Sequence, residues 1–225
     1  MVKFVDTELK SIQGEIIRMW TLVYDQMERA KQAVMEFDKN VAKQITIRER
    51  LVDAFELKID SEIEDFIALY TPVAIDLRFV LAMLKINNDL ERIGDYAYSI
   101  ARFVNESDAA GLDKELTERL RMEEMFSTVL EMMTSLRQSL EEMNPAHAIS
   151  VIAMDDTLDS LNAESNAILV EYAKKDLEAI PLLMGLGSTF RKLERTGDHL
   201  TNIAEEIVFF IDAKIIKHTG SQEQE

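Results

Sequence analysis

Apolar residues recur every three or four positions along almost the whole chain. Leu9, Ile12, Ile16, Met19, Trp20, Val23 and Met27 line one face at 3.6 residues per turn and predict a first helix over about residues 8 to 37. A second follows over about residues 41 to 69. Tyr70-Thr71-Pro72 then ends it, with Thr71 expected as the N-cap and Pro72 as the first residue of a third helix running to about residue 104. The apolar spacing stops in Asn105-Glu106-Ser107-Asp108-Ala109-Ala110-Gly111, a short polar linker that marks a domain boundary. Three more helices are predicted beyond it: about residues 113 to 143, then from the Asn144-Pro145 turn to about 173, then from Pro181 to about 216. The expectation is an all-α chain of six long helices, arranged as two tandem, pseudo-symmetric three-helix bundles over residues 1–108 and 109–225.

The two halves repeat each other. Leu90-Glu91-Arg92-Ile93-Gly94-Asp95-Tyr96 matches Leu193-Glu194-Arg195-Thr196-Gly197-Asp198-His199 at an offset of 103, while the second-helix segments match at 106, pairing Glu49 with Asp155 and Asp53 with Asp159. Duplication of a three-helix unit accounts for both offsets, and three long helices per unit can bury their stripes against one another.

Charge narrows the chemistry. With 25 Lys and Arg against 42 Asp and Glu the formal net charge is −17, so nucleic acid and anionic membrane surfaces are poor direct partners. No Cys is present, which removes disulfides, zinc thiolate sites and iron-sulfur clusters and leaves oxygen or His to hold any metal. Met1 to Lys10 is mixed polar and no apolar run approaches the eighteen or so residues of a membrane span, so a cytoplasmic chain without membrane insertion is expected. No phosphate-cradling glycine loop, nucleophile elbow or zinc-protease motif occurs.

Acidic pairs four apart are so frequent in this composition that roughly eight would arise by chance, and any one of them is ordinarily a solvated face. Position makes some of them informative. Glu49 and Asp53 lie 22 and 18 residues before residue 71, and Glu91 and Asp95 lie 20 and 24 after it, so an antiparallel hairpin brings four carboxylates level. In the second half Asp155, Asp159, Glu194 and Asp198 do the same, with an apparent mismatch of about three residues, or about 5 Å. On the third helix Leu90, Ile93, Ala97 and Ile100 share one side while Glu91 and Asp95 point nearly opposite, which predicts surface carboxylates. Gly94 and Gly197 sit mid-helix at a cost of about 1 kcal/mol each, which admits either a bound ion cluster or a close helix crossing. Glu56 and Asp60 extend the second-helix stripe nearer the turn and rank lower; Asn162 and Asn166 replace them in the second half. His199, beside Asp198, is a further and weaker candidate ligand. Converging carboxylates suit hard cations, and Arg92 and Arg195 offer the alternative of internal neutralisation.

The paired Glu-Arg-x-Gly-Asp motifs, together with Pro72-Val73-Ala74-Ile75-Asp76-Leu77-Arg78 and Asn202-Ile203-Ala204-Glu205, resemble the PhoU family of phosphate transport system accessory proteins over nearly the whole chain. The resemblance implies a cytoplasmic, non-enzymatic regulator. Such a protein links the phosphate-specific ABC transporter, through its ATPase, to a sensor histidine kinase and holds the phosphate-starvation response off when phosphate is plentiful. It also implies surface Glu/Asp-x-x-x-Asp motifs that bind iron or other metals (Mg, Mn or Zn) in multinuclear clusters. Carried onto this chain, those positions are Glu49, Asp53, Glu91, Asp95, Asp155, Asp159, Glu194 and Asp198. The chain departs from the pattern at Thr196, at Asn162 and Asn166, and in lacking the Pro-x-x-x-Asp-Leu-Arg opening before the last helix. An oxygen-ligated metal-handling protein or metalloenzyme is the alternative, against which the missing Glu-x-x-His pairs count. Whether the chain pairs with a second copy stays open.

Overall fold

The computed structural model describes residues 2–212, all of its regular structure helical. Among the described residues there are seven helices: α1 (Val2–Met35), α2 (Lys39–Tyr70), α3 (Ala74–Glu106), α4 (Lys114–Arg119), α5 (Met122–Glu142), α6 (Pro145–Lys175) and α7 (Ile180–Asp212). The expected extension of the last helix from residue 213 to residue 216 lies outside them. No helix in this set is long and apolar enough to cross a membrane.

The predicted stripe of α1 is the buried one: Ile16, Met19, Trp20, Val23 and Met27 are fully enclosed, and Ile12 nearly so. The helices α1, α2 and α3 pack against one another, as do α5, α6 and α7, and the two sets meet along α3–α7 and α1–α5. Their apolar interiors join in one cluster, reaching from Ile12 to Phe210.

Seven helices replace six because the fourth breaks. Asp113 caps α4, accepting from the Leu116 N–H at 2.8 Å, and Arg121 then takes a left-handed conformation (φ 53°) that starts α5. Leu116 and Leu120 share one face, whereas Met122, two residues on, would point about 200° away in an unbroken helix. All three are buried. The break lets the apolar stripe change sides without exposing either part.

Thr71 also departs from expectation. It is the C-cap of α2 rather than an N-cap, with φ 46° and its N–H donating to the Ile67 carbonyl at 3.1 Å; Pro72 lies outside the helices and Val73 precedes α3. A β-branched residue at positive φ is strained, and the chain accepts it where α2 must reverse at once into α3. The Asn144-Pro145 turn is as anticipated, with the Asn144 side chain accepting from the Ala146 N–H and Pro145 opening α6.

Candidate functional site

The acidic motifs lie where α2 crosses α3 and where α6 crosses α7. At the first crossing Gly94 faces Val52, and a Cβ built there would come to 3.1 Å from the Val52 Cγ1. At the second, a Cβ at Gly197 would come to 2.6 Å from the Leu158 Cδ1 and collide with the Asp155 carboxylate. Val52 and Leu158 are equivalent at the offset of 106, so both crossings have one register. The three-residue mismatch expected from the count along the chain is absent at the crossings themselves. Glycine makes room for a plain helix crossing at residue 94, and for a crossing plus a carboxylate at residue 197.

Around the first crossing, Glu49, Asp53, Glu56 and Asp60 of α2 approach Glu91 and Asp95 of α3. The carboxyl of Glu49 is raised above its usual range by burial, by repulsion from Asp53 and Asp95, and by a hydrogen bond to Asp95 that needs a shared proton. That of Glu56 is raised by burial and by Asp60, Asp53 and Asp95. Glu91 is pushed up to about 7, chiefly by burial and then by Asp95, with Arg92 opposing. Its Oε2 is buried without a hydrogen-bond donor, and its counter-charge is the Arg92 Nε at 3.5 Å; the other end of that guanidinium lies 3.6 Å from Asp95. Glu91 is therefore less exposed than its angular position implied, because α2 covers it, while Leu90, Ile93, Ala97 and Ile100 are fully buried as expected. Glu56, ranked low from the sequence, belongs with the central carboxylates. Asp60 instead accepts from the Asn87 Nδ2 at 2.8 Å.

At the second crossing Asp155 is pushed up to about 6 by burial, then by Asp159, Asp198 and Glu194, and its Oδ1 is buried without a donor. Glu194 and Asp198 are raised by burial and by neighbouring carboxylates. Asn162 and Asn166 stand beyond them in place of acids. His199 points elsewhere: its Nδ1 lies 2.8 Å from Asp89 of α3 and its Nε2 is 3.5 Å from the Tyr96 hydroxyl.

Both faces thus gather carboxylates at a crossing and leave one buried carboxylate oxygen on each without a donor. Among the described residues no three His, Asp or Glu side chains close around a common point as a finished metal site. A cation would have to draw the carboxylates together.

The PhoU domain model matches residues 16–104 and again 122–207, so each match contains one of these crossings. The chain belongs to the PhoU family. A phosphate-specific transport system accessory protein PhoU homolog from Deinococcus radiodurans is 30% identical over 99% of this chain and 100% of its own length. One from Xylella fastidiosa is 32% identical over 95% of this chain and 88% of its own. Among solved structures, PhoU from Pseudomonas aeruginosa superposes with a TM-score of 0.84 at 28% identity, covering 93% of this chain and 99% of that one. The phosphate transport system regulatory protein PhoU from Streptococcus pneumoniae also reaches 0.84, at 26% identity over 95% and 99%.

Membership of the PhoU family and an all-helical build were legible from the motifs. The roles of Asn87 and Asp89 were not. Asn87 is fully buried, bonding the Glu56 carbonyl at 3.0 Å as well as Asp60, and a lone Asn in a helical stripe carries no signal of such a partner.

Proposed function

We propose that this chain is a cytoplasmic regulator of phosphate uptake and phosphate-starvation signalling, acting without turnover as an adaptor between the phosphate ABC transporter ATPase and a sensor histidine kinase. The observation that carries this reading is the double match to the PhoU domain, with an acidic crossing at the same place in each half. The same reading treats residues 1–108 and 109–225 as tandem pseudo-symmetric three-helix repeats. In it, Glu49, Asp53, Glu56, Glu91 and Asp95 take up hard cations on one face, and Asp155, Asp159, Glu194 and Asp198 do so on the other. Bound cations would lift the mutual repulsion that raises these carboxyl pKa values and stiffen each hairpin; their charge is what they supply.

Two measurements test it. In cells deleted for their own PhoU-family protein, expressing this chain should restore repression of a phosphate-starvation reporter in phosphate-replete medium, and the chain should co-purify with the transporter ATPase and the kinase. Failure of both sinks the adaptor reading. Elemental analysis of protein purified without chelator or histidine tag should find more than one metal equivalent per chain, most of it lost in Glu91→Ala/Glu194→Ala. If both proteins stay empty after incubation with iron, Mn²⁺ and Mg²⁺, the faces are solvated acid and the metal part is wrong.

A further inference from the structure

The seam between α3 and α7 carries two clefts that are equivalent under the internal repeat and differ in how their lysines are paired. At the offset of 103, Ser99 matches Asn202, Arg102 matches Glu205, Asp89 matches Lys192 and Lys85 matches Ser188. The two members of each pairing fall in different clefts: one cleft holds Lys85, Asp89, Asn202 and Glu205, and the other holds Ser99, Arg102, Ser188 and Lys192.

In the first cleft Asp89 and Lys85 both have partners. Asp89 meets His199 at 2.8 Å, and Lys85 meets Glu206 at 2.6 Å. In the second, larger cleft, of about 680 Å³, the half-buried Lys192 ammonium donates to the Ser188 hydroxyl at 2.6 Å, and among the described residues no carboxylate comes within ion-pair range of it. Among the described residues Arg102 has one ion-pair partner, Glu106 at 3.4 Å. A cation left uncompensated in a cleft, in a chain of net charge −17 with carboxylates to spare, lacks a counter-ion that the protein itself does not provide.

We propose that this cleft is a binding site for a small tetrahedral oxyanion of the phosphate class, held by Lys192 and Arg102 with the hydroxyls of Ser99 and Ser188. Two cations and two hydroxyl donors suit a compact anion with several acceptor oxygens. The exposed carboxylates of Glu106, Asp108, Asp176 and Glu178 rim the same cleft and repel a long polyanion, so the ligand is small. Glu106 also gives selectivity. Hydrogen phosphate can donate its P–OH to a carboxylate beside Arg102, whereas sulfate has no proton to offer and meets only repulsion there. The site lies apart from the acidic crossings and needs neither the metal nor the adaptor reading, since its test scores binding alone.

Isothermal titration of the full chain at fixed ionic strength, with inorganic phosphate, sulfate and phenyl phosphate, decides the matter. Saturable one-to-one phosphate binding is expected, weakened at least tenfold in Lys192→Gln and in Arg102→Gln, retained in Lys192→Arg, and unchanged in Lys85→Gln of the opposite cleft. Sulfate should bind more weakly than phosphate. Phenyl phosphate binding more tightly than phosphate would support the site and assign its ligand to the phosphomonoesters. The proposal is overturned if no phosphate species saturates the wild type, or if Lys192→Gln binds as the wild type does. Arg102 is over half exposed, so its variant reports even if Lys192→Gln fails to fold.

Discussion

The two acidic crossings share a register but handle their charge differently. On the α2–α3 face six carboxylates gather, Arg92 reaches two of them, and the buried amide of Asn87 holds Asp60. On the α6–α7 face there are four, with asparagines beyond them, and among the described residues Arg195 forms no ion pair. The interiors beneath differ in the same direction. Gln26 is fully buried under the first face with both polar atoms unbonded, whereas the buried hydroxyls of Ser139, Ser165, Thr189 and Thr196 in the second half all bond backbone carbonyls. A duplicated unit has kept its geometry and let its electrostatics diverge. Register depends on side-chain size at the crossing, which tolerates little change, while surface charge is free to drift or specialise.

The sharpest way to break this comparison is to add one methyl group to each crossing. In Gly197→Ala the new Cβ displaces the Asp155 carboxylate and presses on Leu158, a close-packing cost that exceeds the helix-propensity gain of about 1 kcal/mol. A net loss of about 1–2 kcal/mol in urea denaturation is expected. In Gly94→Ala the contact is tight but lies against one methyl of Val52, so propensity and crowding nearly cancel, leaving a change within about 0.5 kcal/mol. Equal losses at both sites would mean that Asp155 does not occupy the space above Gly197.

How far these features could be read in advance follows from their range along the chain. The helical stripes were legible because burial on one face repeats every turn; Ile16, Met19, Trp20, Val23 and Met27 are all enclosed as their spacing required. The acidic crossings were legible because two helices of known direction and a repeat fix relative height. The α4–α5 break was there to be read in the jump of the stripe between Leu120 and Met122, although no Gly or Pro marks it. The burial of Gln26 and Asn87, the turn of His199 toward Asp89 and the uncompensated Lys192 were not legible. Each depends on which helix lies across the seam, and no spacing within one helix carries that information.

Acidity tests the faces next. Glu91 is pushed from the usual 4.5 to about 7, and Asp155 from 3.8 to about 6. The folded chain holds these protons to higher pH than the unfolded chain does. Each group therefore contributes stability that is complete below its unfolded value and lost as pH rises through its folded one. In chelated protein, stability should fall between pH 5 and pH 8. Glu91→Gln, which cannot ionise, should match the wild type near pH 5 and exceed it at pH 8 by about 1–2 kcal/mol after allowance for solvent. Asp155→Asn should show the same sign, with its gain developing about one pH unit lower. Melting curves at constant ionic strength measure both, and a wild-type stability that rises across this range would refute the burial of these carboxyls.

Removing each arginine gives the smallest effect and separates the faces most directly. Arg92 lies beside Glu91 and Asp95, so Arg92→Ala should lower stability by about 0.5 kcal/mol at pH 8, where both carboxylates are charged, and by less at pH 5, where Glu91 holds its proton. The loss should largely vanish in 1 M salt, which screens a half-exposed pair. Arg195 acts on Glu194 and Asp198 only from a distance, so Arg195→Ala should change stability by less than Arg92→Ala at either pH. If the two variants prove equal, internal neutralisation works alike on both faces, and the asymmetry between them resides in the amides of Asn87 and Gln26 rather than in the arginines.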